Sequence, residues 1–132
     1  MKSYVLDASA IMAFFEDRSG AEKVEELLAR AAETKRLILM SVVNWGEVYY
    51  SVWLAHGEQV ASDTLKEIAH LPIEIVSVDI DLAKLAASLK GRHNLPYADC
   101  FAGALAQDRK AALVTADKDF ERIASHVKIS WL

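Results

Sequence analysis

Five short apolar runs, separated by stretches with helical periodicity, constrain this chain more than any other feature. The runs are Tyr4–Leu6, Leu37–Met40, Ile73–Val78, Ala112–Thr115 and Val127–Trp131. Helical patterns fill the intervals near Ala8–Phe15, Gly20–Glu33, Val43–His56, Glu58–His70, Asp79–Arg92, Pro96–Arg109 and Asp117–Ser125. Strands alternating with helices predict an α/β fold with a central parallel sheet, because parallel strands need crossovers and helices supply them. Apolar stripes such as Val24, Leu27, Leu28, Ala31 and Leu82, Leu85, Ala86, Leu89 recur at helical spacing, as do Ala98, Phe101, Ala102 and Leu105. These are core faces. Pro72 separates a helix from a strand, and Pro96 is expected at a first helical position, where its missing N–H leaves nothing unsatisfied. Asp79 and Asp117 stand where N-caps belong.

A chain of 132 residues with no internal repeat or long linker is expected to form one domain, residues 1–132. No apolar run approaches the roughly 20 residues of a membrane span. Asp7 and Glu16-Asp17 interrupt the stretch in which a signal peptide would lie, and a strand starting close to Met1 leads us to expect a complete N-terminus. The single Cys100 excludes an internal disulfide and fits a reducing, cytoplasmic location; on a helix beside Phe101 it reads as a packed hydrophobe. His56, His70, His93 and His126 have no zinc spacing with it.

The net charge of −4 argues against a nucleic-acid partner unless some acids hold cations. Two bound Mg²⁺ would bring the total to zero, with positive charge placed where a phosphate would sit.

Four acids are placed to converge. Asp7 ends the first strand and Asp117 follows the fourth, and in open α/β sheets ligands bind beyond the carboxyl ends of strands. Either is equally read as a helix N-cap. Glu47 shares a polar strip with Asn44 and Ser51 on a helix whose other faces carry Val48, Val52 and the stripe Trp45, Tyr49, Trp53. Such a strip is expected to face a cleft. Asp99 lies in the first turn after Pro96, where the helix dipole favours an ionised carboxylate, and Gly103 one turn on leaves space on the same face. Asp119 is a further first-turn acid. Thr115 is a hydrogen-bonding support, and Ser9 is read either as another cap-region hydroxyl, the plainer reading, or as the holder of a metal-bound water. Converging carboxylates make an oxygen cage for a hard divalent cation, Mg²⁺ or Mn²⁺. Such cages serve many nucleases.

With Val5-Leu6-Asp7-Ala8-Ser9, Asn44-Trp45-Gly46-Glu47-Val48, Leu95-Pro96-Tyr97-Ala98-Asp99-Cys100 and Leu113-Val114-Thr115-Ala116-Asp117-Lys118-Asp119-Phe120 in this order, the sequence resembles a PIN-domain ribonuclease of the VapC toxin type over essentially its whole length. The resemblance implies a PIN-like parallel sheet with helices on both faces and Mg²⁺- or Mn²⁺-dependent endoribonuclease activity. It also implies a homodimer and a small antitoxin lying over the active-site groove. The family's acidic positions fall on Asp7, Glu47, Asp99 and Asp117, with Asp119 as a fifth candidate. Gly46 departs from a good helix former by about 1 kcal/mol relative to Ala and is expected to loosen the helix carrying Glu47.

On this reading Asp7, Asp99 and Asp117 hold the principal ion and Glu47 tunes it through water. Lys90, Arg92 and Lys118 are RNA-binding candidates, with a solvated helix end as the plain alternative. The Trp45–Tyr49–Trp53 stripe with Tyr50 is core, dimer surface or antitoxin groove. A phosphatase with Asp7 as nucleophile would want an acid two residues on, where Ser9 stands. A receiver domain would want an acidic pair after the first strand. A catalytically silent PIN fold acting as a binding module is the remaining alternative, and the concentrated acids count against it.

Overall fold

In a computed structural model, which describes residues 2–132, each of the five runs forms a strand and all pair in parallel. The strands are β1 (Tyr4–Leu6), β2 (Ile38–Ser41), β3 (Ile73–Val76), β4 (Ala112–Thr115) and β5 (Ile129–Trp131). The helices are α1 (Ala8–Phe15), α2 (Ala21–Thr34), α3 (Val42–His56), α4 (Glu58–Ala69), α5 (Ile80–His93) and α6 (Tyr97–Arg109), followed by a 3₁₀ helix at Lys118–Ile123. Sheet order is β3-β2-β1-β4-β5, so the chain builds outward from β1 in one direction and then crosses to β4 to build in the other. The switch point lies between β1 and β4, where the register pairs Leu6 with Val114. Crevices that bind ligands form at such points.

Helices cover both faces. Successive strand residues point to opposite sides, and Val5 and Leu113 accordingly join a core with α5, α6 and the 3₁₀ helix, while Leu6 and Val114 join one with α1 to α4. Helix α6 is enclosed from Asp99 to Ala106, every residue of that stretch being buried. Among the described residues no helix is long and apolar enough to cross a membrane.

Several expectations shift. Strand β2 runs one residue later than Leu37–Met40, because Leu37 is half exposed whereas Ser41 pairs with Val76. The expected helix Asp117–Ser125 is a shorter 3₁₀ helix, and β5 begins at Ile129 rather than Val127 because the His126 and Val127 amides donate to the Ile123 carbonyl. Pro96 sits at the N-cap of α6, with ψ 139° outside the helical range, not at its first helical position. Helix α3 runs unbroken through Gly46, so that glycine does not disrupt the segment carrying Glu47. Cys100 is free and buried, and its Sγ lies 3.8 Å from the Leu95 carbonyl; burial pushes the thiol pKa up, as for a packed side chain.

Candidate active site

The carboxyl ends of β1 and β4 are tied together by side chains. Asp7 caps α1 by accepting from the Ala10 amide at 2.8 Å. Its carboxylate also accepts from the Thr115 hydroxyl at 2.5 Å and the Ser9 hydroxyl at 2.8 Å. The Thr115 oxygen in turn accepts from the Asp117 amide at 2.9 Å, and the Ser9 oxygen from the Ala116 amide at 3.0 Å. Asp117 therefore leaves β4 at a point fixed by the residue that orients Asp7. Ser9 donates to Asp7, so its proton helps to position that carboxylate. Asp117 also caps the 3₁₀ helix, accepting from the Asp119 amide at 2.9 Å. Capping and convergence thus coexist in Asp7 and Asp117.

The other wall comes from α3 and α6. Asn44 is fully buried, and its Nδ2 donates both to Glu47 Oε1 at 3.2 Å and to the Ala98 carbonyl at 3.1 Å. One amide group thereby fastens the helix bearing Glu47 to the residue that precedes Asp99. The polar strip of α3 thus runs from the buried Asn44 to the half-buried Glu47 and Ser51. Sequence periodicity placed Asn44 on the strip but gave no sign of the bond to α6.

Oxygens of Asp99, Asp117 and Asp119 lie within 4.8 Å of one another, the one such group of potential ligands among the described residues. This trio includes Asp119 rather than Asp7, both of whose oxygens are engaged by hydroxyl and amide donors. Asp99 is buried, and its Oδ2 has no hydrogen-bond partner. An orphaned buried carboxylate oxygen beside two more carboxylates fits a hard cation such as Mg²⁺ or Mn²⁺, which takes oxygen ligands.

Electrostatics reinforce this. Burial, then the charges of Asp117, Glu47 and Asp7, push the Asp99 carboxyl up to about 8. Burial likewise raises Asp7 to about 6 against the lowering bonds from Thr115, Ser9 and Ala10. The expectation that the α6 dipole keeps Asp99 ionised is thus overturned. A dipole contributes at most about 2 kcal/mol, less than the combined effect of desolvation and three like charges. Asp117, Glu47 and Asp7 thus all lie near enough to Asp99 for their charges to bear on it.

Gly103 does not open the cleft. A Cβ there would lie 2.9 Å from Ile123 Cδ1 and 3.3 Å from Leu89 Cδ1, so the glycine lets α5 and the 3₁₀ helix close onto α6. Of the basic candidates, Lys118 is exposed at the start of the 3₁₀ helix, and Lys90 and Arg92 lie in the last turn of α5. A separate concavity of about 220 Å³ beside Tyr4, Arg30 and Arg36 opens at the amino ends of β1 and β2 and contains none of the acids.

The PIN domain family model matches residues 4–125. No curated protein matches the sequence significantly. Among solved structures, VapBC2 of Rickettsia felis bound to a DNA fragment from its promoter is similar at a TM-score of 0.75 and 20% identity, covering 98% of each chain. DNA-bound VapBC of Salmonella typhimurium is similar at 0.75 and 15%, covering 99% of this chain and 98% of that one. VapC20 of Mycobacterium tuberculosis, described as a toxin cleaving the sarcin–ricin loop, is similar at 0.71 and 17%, covering 95% and 96%.

Proposed function

Because the chain belongs to the PIN domain family, we propose that it is a divalent-metal-dependent endoribonuclease and the toxin of a toxin–antitoxin pair. The observation that carries this reading is the convergence of Asp99, Asp117 and Asp119 at the β1/β4 switch point, with the partnerless Oδ2 of Asp99 buried among them.

Asp99, Asp117 and Asp119 would hold Mg²⁺ or Mn²⁺, with Asp7 and Glu47 at its flanks. A bound cation would supply Lewis acidity to activate a water and offset charge on the phosphodiester. The remaining work belongs to the side chains. Thr115 and Ser9 aim Asp7, and Asn44 holds Glu47 against α6. Burial and neighbouring charges raise the Asp99 carboxyl, so metal binding there would be expected to release a proton, since ligands must be deprotonated.

Partners follow from the same reading: RNA as substrate, a second copy of the chain, a small antitoxin over the groove, and a cytoplasmic setting. Exposed apolar side chains available for protein contacts include Tyr50, Trp53 and Leu54, which recur at helical spacing on α3, and Val60 on α4. Trp45 and Tyr49 are half-buried and Tyr49 packs edge-on against Trp53, so the stripe divides between core and surface. A Trp53→Ala variant, followed by oligomeric mass and antitoxin binding, separates a dimer surface from an antitoxin surface.

The direct test is cleavage of structured RNAs, a sarcin–ricin-type loop among them, with Mg²⁺, Mn²⁺ or EDTA. Metal-dependent cuts at discrete sites that vanish in Asp7→Asn are expected. Equal behaviour of wild type and Asp7→Asn on every RNA would refute the reading and favour a binding module.

A further inference from the structure

We propose that the C-terminal end of α5 and the outer face of the 3₁₀ helix form a track for single-stranded RNA running away from the acid cluster; this rests on the ribonuclease reading. The track is defined by contacts. Arg122 lies 3.8 Å from Asp119 Oδ1 and reaches back to donate to the Asn94 carbonyl at 3.1 Å. Lys90 donates to Asn94 Oδ1 at 3.3 Å. Next to Asn94, the His93 ring packs 5.2 Å from that of His126, tilted by 50°. Arg92 stands exposed in the same last turn of α5. Two elements distant in sequence thus bring Lys90, Arg92, His93, Arg122 and His126 around one residue, and the group begins at a member of the metal trio.

Helix-end solvation accounts for only part of this arrangement. The C-terminal dipole of α5 amounts to about half a charge and favours basic residues at that end, and Arg122 meets it by donating to the carbonyl of Asn94, the C-cap of α5; it gives no reason for His126 to pack against His93 from the turn after the 3₁₀ helix. Two of the three cations, Lys90 and Arg92, are not matched by carboxylates. Among the described residues Arg122 alone of the three has one within 4 Å, and the chain as a whole carries −4. Unmatched positive charge concentrated beside a phosphate-handling site fits a polyanion that extends from that site. The chemistry on offer fits a single strand. Guanidinium and ammonium groups meet phosphates, and a pair of partly exposed imidazoles gives a flat surface on which a base stacks.

The experiment measures binding separately from cleavage. Asp7→Asn protein with Mn²⁺ is titrated against a fluorescent stem-loop RNA with single-stranded flanks, between 50 and 200 mM KCl, in backgrounds carrying Arg92→Ala, Arg122→Ala, Arg122→Lys or His93→Ala/His126→Ala. Arg30→Ala, at the amino end of the sheet, is the charge-matched control. Each arginine removed from the track should lower the slope of log affinity against log salt by about 0.7, with affinity falling several-fold. Arg122→Lys should restore the slope, and the double histidine variant should weaken binding to flanked RNA more than to the blunt stem-loop. In otherwise wild-type protein Arg92→Ala, which lies away from the acids that would hold the metal, should raise KM more than it lowers kcat. Slopes and affinities equal to those of Arg30→Ala would overturn the track even where wild-type protein cleaves RNA. Track variants that lose binding in a protein that cleaves nothing would uphold the track and sink the nuclease reading. Displacement of the RNA by polyglutamate at equal charge concentration would assign the surface to an acidic protein segment and overturn the proposal.

Discussion

Replacing Asp99 by Asn should make the metal-free protein more stable while removing its response to metal. The Asp99 carboxyl stands at about 8 against a reference of 3.8, because it is buried beside Asp117, Glu47 and Asp7. A folded-state pKa above the unfolded value means that the native chain binds the proton more tightly. The associated stability is complete below about pH 4 and is lost as pH rises through about 8. At pH 7 the gap from 3.8 corresponds to about 4 kcal/mol at roughly 1.4 kcal/mol per unit, an upper bound on the native-state penalty. Relaxation of the site and sharing of the proton among coupled carboxylates bring a working value nearer to about 2 kcal/mol. With an unfolding entropy of about 2.1 cal/mol/K per residue, that is a rise in Tm of about 7 °C for a chain of this size. The assay is thermal unfolding of wild type and Asp99→Asn in EDTA from pH 5 to 8, then with 1 mM Mn²⁺. The variant's advantage should widen with pH. Mn²⁺ should stabilise wild type increasingly toward pH 8 and leave the variant unmoved, because a ligand stabilises only the state that binds it. An Asn variant several degrees less stable than wild type in EDTA at pH 7.5, or one retaining the full Mn²⁺ shift, would refute the argument that repulsion at this site is maintained for a cation.

Three further outcomes follow from the same geometry. Thr115→Val keeps the shape but deletes the donor to Asp7 and the acceptor of the Asp117 amide; a loss of about 2 kcal/mol in urea unfolding and at least a tenfold fall in RNA cleavage are expected, and wild-type cleavage would remove Thr115 from the site. Asn44→Leu strands the Ala98 carbonyl and frees Glu47, so a loss of about 2 kcal/mol with weakened Mn²⁺ binding by calorimetry is expected, whereas unchanged metal affinity would reduce Asn44 to a packing role. Gly103→Ala drives a Cβ against Ile123 Cδ1 and should cost about 1 kcal/mol; Ile123→Val deletes that δ-carbon and should recover the loss in a double-mutant cycle, and strict additivity would disprove the contact.

The sequence by itself determined the alternation of strands and helices, because local rules govern it. Apolar runs such as Ala112–Thr115 extend and stripes such as Leu82, Leu85, Ala86, Leu89 coil, whatever lies across the core. Asp7 and Asp117 were legible for the same reason, each being the first carboxylate after an apolar strand. Boundaries were less so: Leu37 is apolar enough for β2, yet the strand is set by pairing with β3, a contact more than 30 residues away. The tertiary structure alone decided three matters. It placed Asp119 in the trio with Asp99 and Asp117, since that depends on how Asp117 caps the 3₁₀ helix. It reversed the expected ionisation of Asp99, since a first-turn position says nothing about enclosure by α3, the sheet and neighbouring acids. It gave Asn44 and Gly103 their purposes, one as a hydrogen-bonding tie and one as a point of close approach. Conformational preference is a short-range property of the chain, whereas burial and like-charge repulsion are summed over whatever the fold brings near, and the chemistry of this site resides in that sum.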